Sequence, residues 1–69
     1  MAVYLVDFDC YWDGGFPVEH TTGSFSLDLL SDLEVIYYIK KNFLNHVSLL
    51  DYHFIISSNE NVFEIKKGV

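Results

Sequence analysis

Near the middle of the chain, residues 30–44 carry the signal of a helix and separate two strand-rich halves. Ser31 and Glu34 have the Ser-x-x-Glu spacing of a capping box. In that motif the serine hydroxyl accepts from the backbone N–H of Glu34, and the glutamate carboxylate accepts from the N–H of Ser31. We therefore predict a helix that begins at Ser31 and ends near residues 45–46.

The apolar side chains of this helix fall on two lines. At ~100° per residue, the first line is the predicted core face, and it consists of Val35, Ile36, Ile39 and Phe43. The second line is rotated by roughly a quarter turn and consists of Leu33, Tyr37 and Leu44, with Glu34 beside it. The helix of a small domain usually has a single apolar stripe. The second line is therefore either the edge of a wide core face or an exposed apolar and acidic patch that meets a partner.

Alternation of apolar and polar residues predicts strands before the helix. The first strand covers residues 2–12, and its core face is Tyr4, Val6, Phe8, Cys10 and Trp12. The Asp-Gly-Gly sequence at 13–15 predicts a turn. We expect a second strand from Phe16 to about His20, a polar break at 21–24 and a short extended segment at 25–29.

Two further strands are predicted after the helix, at 48–56 and 62–67, with a turn between them. Tyr52, Phe54 and Ile56 alternate onto one side of the first of these strands. The whole sequence, 1–69, is predicted to form one α+β domain. Its order is β-β-α-β-β, an antiparallel sheet of three to four strands with one helix packed across it.

A chain of 69 residues has a small core and is marginally stable alone. Cys10 is the single cysteine, so no disulfide can form within the chain, and no Cys–His cluster suggests a structural zinc site. Dimerisation is the remaining common means of stabilisation, and we predict a homodimer. A lone cysteine is typical of proteins in a reducing compartment. The sequence shows neither a basic, apolar leader nor an apolar run long enough to cross a membrane. We therefore predict a cytoplasmic location.

Charge is distributed unevenly along the chain. Residues 1–39 contain seven acidic side chains and no lysine or arginine, whereas all four lysines lie in residues 40–69 with three acids. Nucleic-acid binding depends on neutralising phosphates, so direct binding to DNA or RNA is not expected. A concentrated negative field favours capture of a basic protein. The alternative is that the acidity only keeps the protein in solution.

The sequence does not favour catalysis. Asp7 and Asp9, one residue apart in an apolar strand, resemble the nucleophile motif of haloacid-dehalogenase-like phosphatases, but the chain is too short for that fold. We interpret them as the polar face of an edge strand. His20, His46 and His53 have no metal-ligand spacing, and the glycine turn lacks the lysine of a phosphate loop. We predict that the protein is not an enzyme and holds neither metal nor cofactor.

The run Ser31-Asp32-Leu33-Glu34-Val35-Ile36-Tyr37 resembles the helix start of the very small phage-encoded inhibitors of uracil-DNA glycosylase known from phages of Bacillus. Members of that family have Ser-Asp, an aromatic residue and then Glu-Val-Leu-Tyr at this point. The preceding layout is also similar, with an acidic strand, an Asp-Gly turn and a second strand ending in Glu-His. The resemblance covers residues 3–40, and two departures are Leu33 in place of the aromatic residue and the additional strand at 62–67.

The resemblance implies an acidic homodimer that imitates DNA. Members occupy the DNA-binding groove of the glycosylase and enclose the apolar side chain of its DNA-intercalating loop. By position, Leu33 would line the apolar pocket, Glu34 would stand in for a phosphate and Tyr37 would complete the pocket wall. We add three carboxylates of the acidic first half to the predicted partner surface, namely Glu19, Asp28 and Asp32.

Two other functions remain open at this point. The chain could block a different nucleic-acid-binding host protein, such as a restriction or CRISPR effector, because the charge argument applies equally there. It could also be a non-catalytic structural or antitoxin-like subunit in which the apolar and acidic patch is a dimer contact.

Overall fold

The computed structural model describes residues 2–67 and has four strands and one helix. In chain order they are β1 Ala2–Trp12, β2 Glu19–Leu29, α1 Asp32–Ile39, β3 Leu49–Ser57 and β4 Val62–Lys67. The sheet order is β2-β1-β3-β4, and every neighbouring pair is antiparallel. The predicted α+β fold with β-β-α-β-β order is confirmed.

β2 differs most from the sequence prediction. The expected strand at 16–20, the polar break and the extended segment are replaced by one continuous strand of 11 residues, Glu19–Leu29. Phe16 and Pro17 lie before it in a loop. The polar break is absent because β1 is equally long and pairs with β2 along its entire length, from Ala2 opposite Leu29 to Trp12 opposite Glu19. Hydrogen bonding to a neighbouring strand outweighs weak local β propensity.

One face of the sheet forms the core with the helix. The fully or almost fully buried side chains are Tyr4, Val6, Cys10, Val35, Ile39, Phe54 and Ile56. Around them, the ring of Phe8 lies 6.0 Å from Phe25, 5.8 Å from Phe43 and 6.1 Å from Phe54, measured between centroids. The alternation predicted for β1 and β3 therefore places the expected residues on the core side.

The helical segment changes geometry after Ile39. α1 ends there, and residues Lys40–Leu44 continue as a π-helical turn. A π turn bonds each residue to one five positions away, so successive side chains rotate less about the axis than in an α-helix. Leu44 consequently packs against the core. It was predicted on the second line of the helix, and that placement is wrong.

β1 is an inner strand, between β2 and β3, so the interpretation of Asp7 and Asp9 as edge-strand residues is wrong. The expectation of a polar face holds, because Asp7 pairs with Ser24 and Ile55 on the side of the sheet away from the helix. Within residues 2–67, no helix has the length and apolar character needed to cross a bilayer.

Candidate protein-binding groove

The start of α1 is held by the predicted capping box with one change. Ser31 is the N-cap in an extended conformation, and its Oγ accepts from the N–H of Glu34 at 3.4 Å. The Glu34 carboxylate folds back as expected, but its Oε1 accepts from the N–H of Leu30 at 3.0 Å rather than from that of Ser31. The cap therefore fixes the Glu34 side chain at the N-terminal end of the helix, where it is exposed to solvent.

Leu33 and Tyr37 project from the side of α1 that the core does not cover. Leu33 is 76% exposed and Tyr37 is 67% exposed. Together with Glu34 they line an open groove of about 490 Å³. The other lining residues are Leu29, Tyr38, Lys41 and Asn42. Of the two interpretations of the second apolar line, the structure favours the exposed patch at Leu33 and Tyr37.

Four of the groove residues were not predicted. Lys41 continues the row formed by Leu33 and Tyr37 at steps of four, and Asn42 continues the row formed by Glu34 and Tyr38. Residues four apart are neighbours on a helix surface, so extending this spacing through the sequence would have found both rows. Leu29 belongs to β2 and reaches the groove only through the tertiary fold.

Asp32 lies beside the groove but is engaged within the chain. Its Oδ1 accepts from the Tyr4 hydroxyl at 3.0 Å, and its Oδ2 accepts from Asn61 Nδ2 at 3.1 Å. These two bonds tie the helix start to β1 and to the turn before β4. Asp32 therefore has a structural role in addition to the negative charge that it contributes to this end of the molecule.

The electrostatic field at the helix start is negative. Burial raises the pKa of the Tyr4 hydroxyl, and the bond to Asp32 and the negative charges of Asp32, Glu60 and Glu34 raise it further. Three carboxylates from α1 and the β3–β4 turn thus act on one buried phenol. A basic group approaching the groove would meet the same field.

Glu19 and Asp28 do not join the groove within one chain. Asp28 pairs with Val3 on the open face of the sheet, opposite to the helix. Glu19 pairs with Trp12 at the other end of β2, roughly 30 Å from Asp28 at about 3.3 Å per residue. Of the six predicted partner residues, the structure brings together Leu33, Glu34 and Tyr37, places Asp32 next to them and leaves Glu19 and Asp28 apart.

The open face of the sheet holds a second, polar depression of about 510 Å³. Its lining residues are Asp9, Tyr11, Asp51, Tyr52, His53, Lys66 and Lys67. At its border, His20 Nε2 lies 3.1 Å from Asp9 Oδ1, and the His20 ring stacks on Tyr11 with a centroid distance of 4.2 Å. The border of this depression is therefore polar, whereas the opposite end of the same face carries exposed apolar side chains at Val3, Leu5 and Val62.

A hydrogen bond on this face shifts the pKa of one carboxylate, that of Glu64. His53 Nε2 lies 2.6 Å from Glu64 Oε2, and this hydrogen bond, followed by the charge of Lys66, lowers the pKa of Glu64. Among residues 2–67, no group of His, Cys, Asp or Glu side chains has the geometry of a metal site. The depression therefore differs from the groove on α1 in its lining, which is mainly charged and hydrogen-bonding side chains rather than exposed apolar ones such as Leu33 and Tyr37.

Comparisons with protein-family models, with curated proteins and with solved structures found no match to this chain.

Proposed function

We propose that this chain is an acidic protein inhibitor that binds uracil-DNA glycosylase in its DNA-binding groove and blocks uracil excision. The observation that carries the proposal is the groove on α1, where two exposed apolar side chains, Leu33 and Tyr37, lie beside the Glu34 carboxylate. These are the three positions to which the resemblance assigns target contacts. Under this proposal the protein is a homodimer, acts in the cytoplasm of a host cell and needs no cofactor.

The proposed contact follows from how glycosylases handle DNA. Such an enzyme extrudes a base from the duplex and accommodates it in a pocket. Proteins that distort DNA often fill the resulting gap with an apolar wedge side chain. A groove of about 490 Å³ is large enough to accept one such side chain between Leu33 and Tyr37. Burying it there would remove apolar surface of both proteins from water, and this would slow dissociation.

Glu34 supplies the second feature of a DNA substitute. A glycosylase surface that binds DNA carries positive charge for phosphates. Glu34 Oε1 is held by the N–H of Leu30, which fixes the carboxylate, whereas its Oε2 has no hydrogen-bond partner among residues 2–67. The carboxylate is thus preorganised, with one oxygen able to accept from an arginine or lysine of the target.

A uracil-excision assay with purified glycosylase and a uracil-containing oligonucleotide tests the proposal. Wild-type protein is expected to abolish excision near an equimolar ratio. Leu33→Ala and Tyr37→Ala are each expected to weaken inhibition by about 30-fold, since central interface residues contribute about 2 kcal/mol or more. Leu50→Ala is the matched control, because Leu50 is also an exposed leucine but lies on β3, away from the groove.

The charge of Glu34 is tested separately with Glu34→Gln. Glutamine still fits the last position of a capping box, so the helix start is retained while the negative charge is removed. Inhibition is expected to weaken more than in Asp51→Asn, which removes an exposed carboxylate from the open face. Normal excision in the presence of a large excess of wild-type protein would contradict this target. Equal effects of Leu33→Ala and Leu50→Ala would contradict the groove.

A further inference from the structure

The two edges of the sheet are protected very differently. β4 is six residues long, and three of its residues are charged: Glu64, Lys66 and Lys67. β2 is 11 residues long and carries no charged side chain and no proline between His20 and Asp28. Natural proteins usually protect long edge strands with lysine, proline or bulges, because an open row of backbone groups pairs readily with another strand. β2 has none of these protections among its central residues.

We propose that β2 pairs antiparallel with β2 of a second copy of this chain, about a twofold axis at Ser24. Residues directly opposite each other in antiparallel strands lie on the same face of the sheet. Centring the axis on Ser24 satisfies this condition and pairs all 11 residues of β2, from Glu19 opposite Leu29 to Leu29 opposite Glu19. The two sheets join into one, and both helices lie on the same side.

This register gives favourable pairs on the open face. His20 falls opposite Asp28 of the second copy, and the symmetry produces the same pair twice. A histidine opposite a carboxylate can hydrogen-bond across the two strands, and this register brings no like charges together, which would oppose pairing. Between these ends, Thr22 falls opposite Ser26 and Ser24 opposite itself, so the centre of the interface is small, polar and uncharged.

The core-facing side is also compatible with the register. Gly23 falls opposite Phe25 of the second copy, so a glycine without a side chain meets a large ring. The same glycine already accommodates a ring within its own chain, because a Cβ built on Gly23 would lie 2.9 Å from Phe8 Cζ. The space above Gly23 is therefore filled by Phe8 of its own chain, and in the dimer the Phe25 ring of the second copy would lie beside that ring.

Pairing in this register changes the groove. Leu29 lines the groove and, in the dimer, lies opposite Glu19 of the second copy. Directly opposite residues have Cβ atoms about 5 Å apart. Glu19 is remote from the groove of its own chain but would add a carboxylate to the groove of its partner. This role of Glu19 in target binding rests on the proposed function, whereas the strand pairing does not.

Disulfide cross-linking of the otherwise unmodified chain tests the register without any target protein. In Ser24→Cys, two cysteines meet across the axis at about 5 Å between Cα atoms, within the range of a disulfide. In the control Ser26→Cys, residue 26 lies opposite residue 22, so the two cysteines are about 13 Å apart. Native Cys10 is completely buried and should not react.

We expect Ser24→Cys to form a disulfide-linked dimer at least about tenfold faster than Ser26→Cys, because pairing raises the effective concentration of the thiols. Equal rates for the two variants, or a monomeric wild-type protein at high concentration in light scattering, would overturn the proposal. Equal rates would leave the proposed function untouched, whereas a monomeric wild-type protein would also contradict its homodimer, but not target binding by the groove of a single chain.

A charge exchange at the same interface gives a second test that does not depend on thiols. Thr22→Lys with Ser26→Lys places two lysines opposite each other at each of the two symmetric positions, and we expect it to yield monomers. Thr22→Lys with Ser26→Glu changes the same exposed residues but creates opposite-charge pairs, and we expect it to remain dimeric. Identical masses for both double variants in light scattering would overturn the register.

Discussion

At the scale of single residues, Asp32 and Glu34 show how neighbouring carboxylates acquire different roles. Both were predicted to meet a partner. Asp32 uses its two oxygens to hold Tyr4 and Asn61, whereas Glu34 uses only Oε1 in contacts with residues 2–67. The difference comes from direction, because Asp32 is turned toward β1 and Glu34 lies on the exposed side. Glu34 is therefore the better candidate for contact with a basic target.

Removal of the N-cap should destabilise the domain. Ser31→Ala removes the acceptor for the N–H of Glu34, and we expect the free energy of unfolding to fall by about 1 kcal/mol. In a domain of this size, that corresponds to a decrease in Tm of about 4–8 °C. Thermal unfolding monitored by circular dichroism measures the change. Asp51→Asn, at an exposed position on β3 far from the helix start, should leave the Tm nearly unchanged.

Stability should decrease at alkaline pH. Folding raises the pKa of the Cys10 thiol through burial and the charge of Asp9, and it raises the pKa of the Tyr4 hydroxyl through burial and nearby carboxylates. A raised pKa means that the folded state holds the proton more tightly than the unfolded state does. The free energy of unfolding therefore falls as the pH rises above 9.0 and 10.0, the ordinary pKa values of cysteine and tyrosine.

Tyr4→Phe separates the two groups. It should remove the part of the alkaline destabilisation that begins above 10.0, the ordinary pKa of tyrosine, and retain the part due to Cys10. Urea unfolding at a series of pH values measures both parts. If Tyr4→Phe lost as much stability at alkaline pH as wild type does, the Tyr4–Asp32 contact would not control that loss.

At the scale of elements, β2 depends on Gly23. Its Cβ position lies 2.9 Å from Phe8 Cζ, so any side chain must displace a ring that contacts three other phenylalanines. Gly23→Ala is expected to lower the free energy of unfolding by about 1–3 kcal/mol, the usual cost of overpacking. Urea denaturation measures it. In a Phe8→Leu background, Gly23→Ala should lower the free energy of unfolding by less than it does in wild type. Strictly additive effects of the two substitutions would contradict a steric conflict between residues 8 and 23.

The helical element was only partly predictable. The capping box and the core positions Val35 and Ile39 follow from local spacing, because one helical turn brings fixed sequence separations together. The π-helical turn at Lys40–Leu44 does not follow from such spacing. Packing of Phe43 and Leu44 against the core accompanies that turn. The predicted position of Leu44 was wrong because tertiary contacts determine the helix geometry in this turn.

At the scale of the whole molecule, the negative charge is not confined to the groove. Asp51 pairs with Tyr11 on the open face, and Tyr11 lies roughly 25 Å along β1 from Val3, the end near the helix start. Charges at that distance act on an approaching partner only at low ionic strength, because the Debye length is about 8 Å at 0.15 M salt. They can increase the association rate but make no short-range contact at the groove.

The salt dependence of association should therefore separate local from distant charge. In stopped-flow measurements with glycosylase at low salt, Glu34→Gln and Asp51→Asn should both slow association. At physiological salt, only Glu34→Gln should remain slower than wild type, and dissociation of Asp51→Asn should be unchanged. A persistent effect of Asp51→Asn at high salt would place the open face, rather than the groove, in contact with the target.

Local patterns in the sequence were sufficient to predict the α+β fold, the capped helix start, the core alternation of β1 and β3 and the second apolar line at Leu33 and Tyr37. These features follow from periodicities of 3.6 and 2, which are local properties of the chain. Three features required the three-dimensional structure: β2 is one long edge strand, Leu29 borders the groove, and Glu19 lies at the far end of β2 while Asp28 lies on the opposite face of the sheet. Those outcomes depend on strand pairing and packing between distant segments, because the position of a side chain in space is fixed by its neighbours across the sheet.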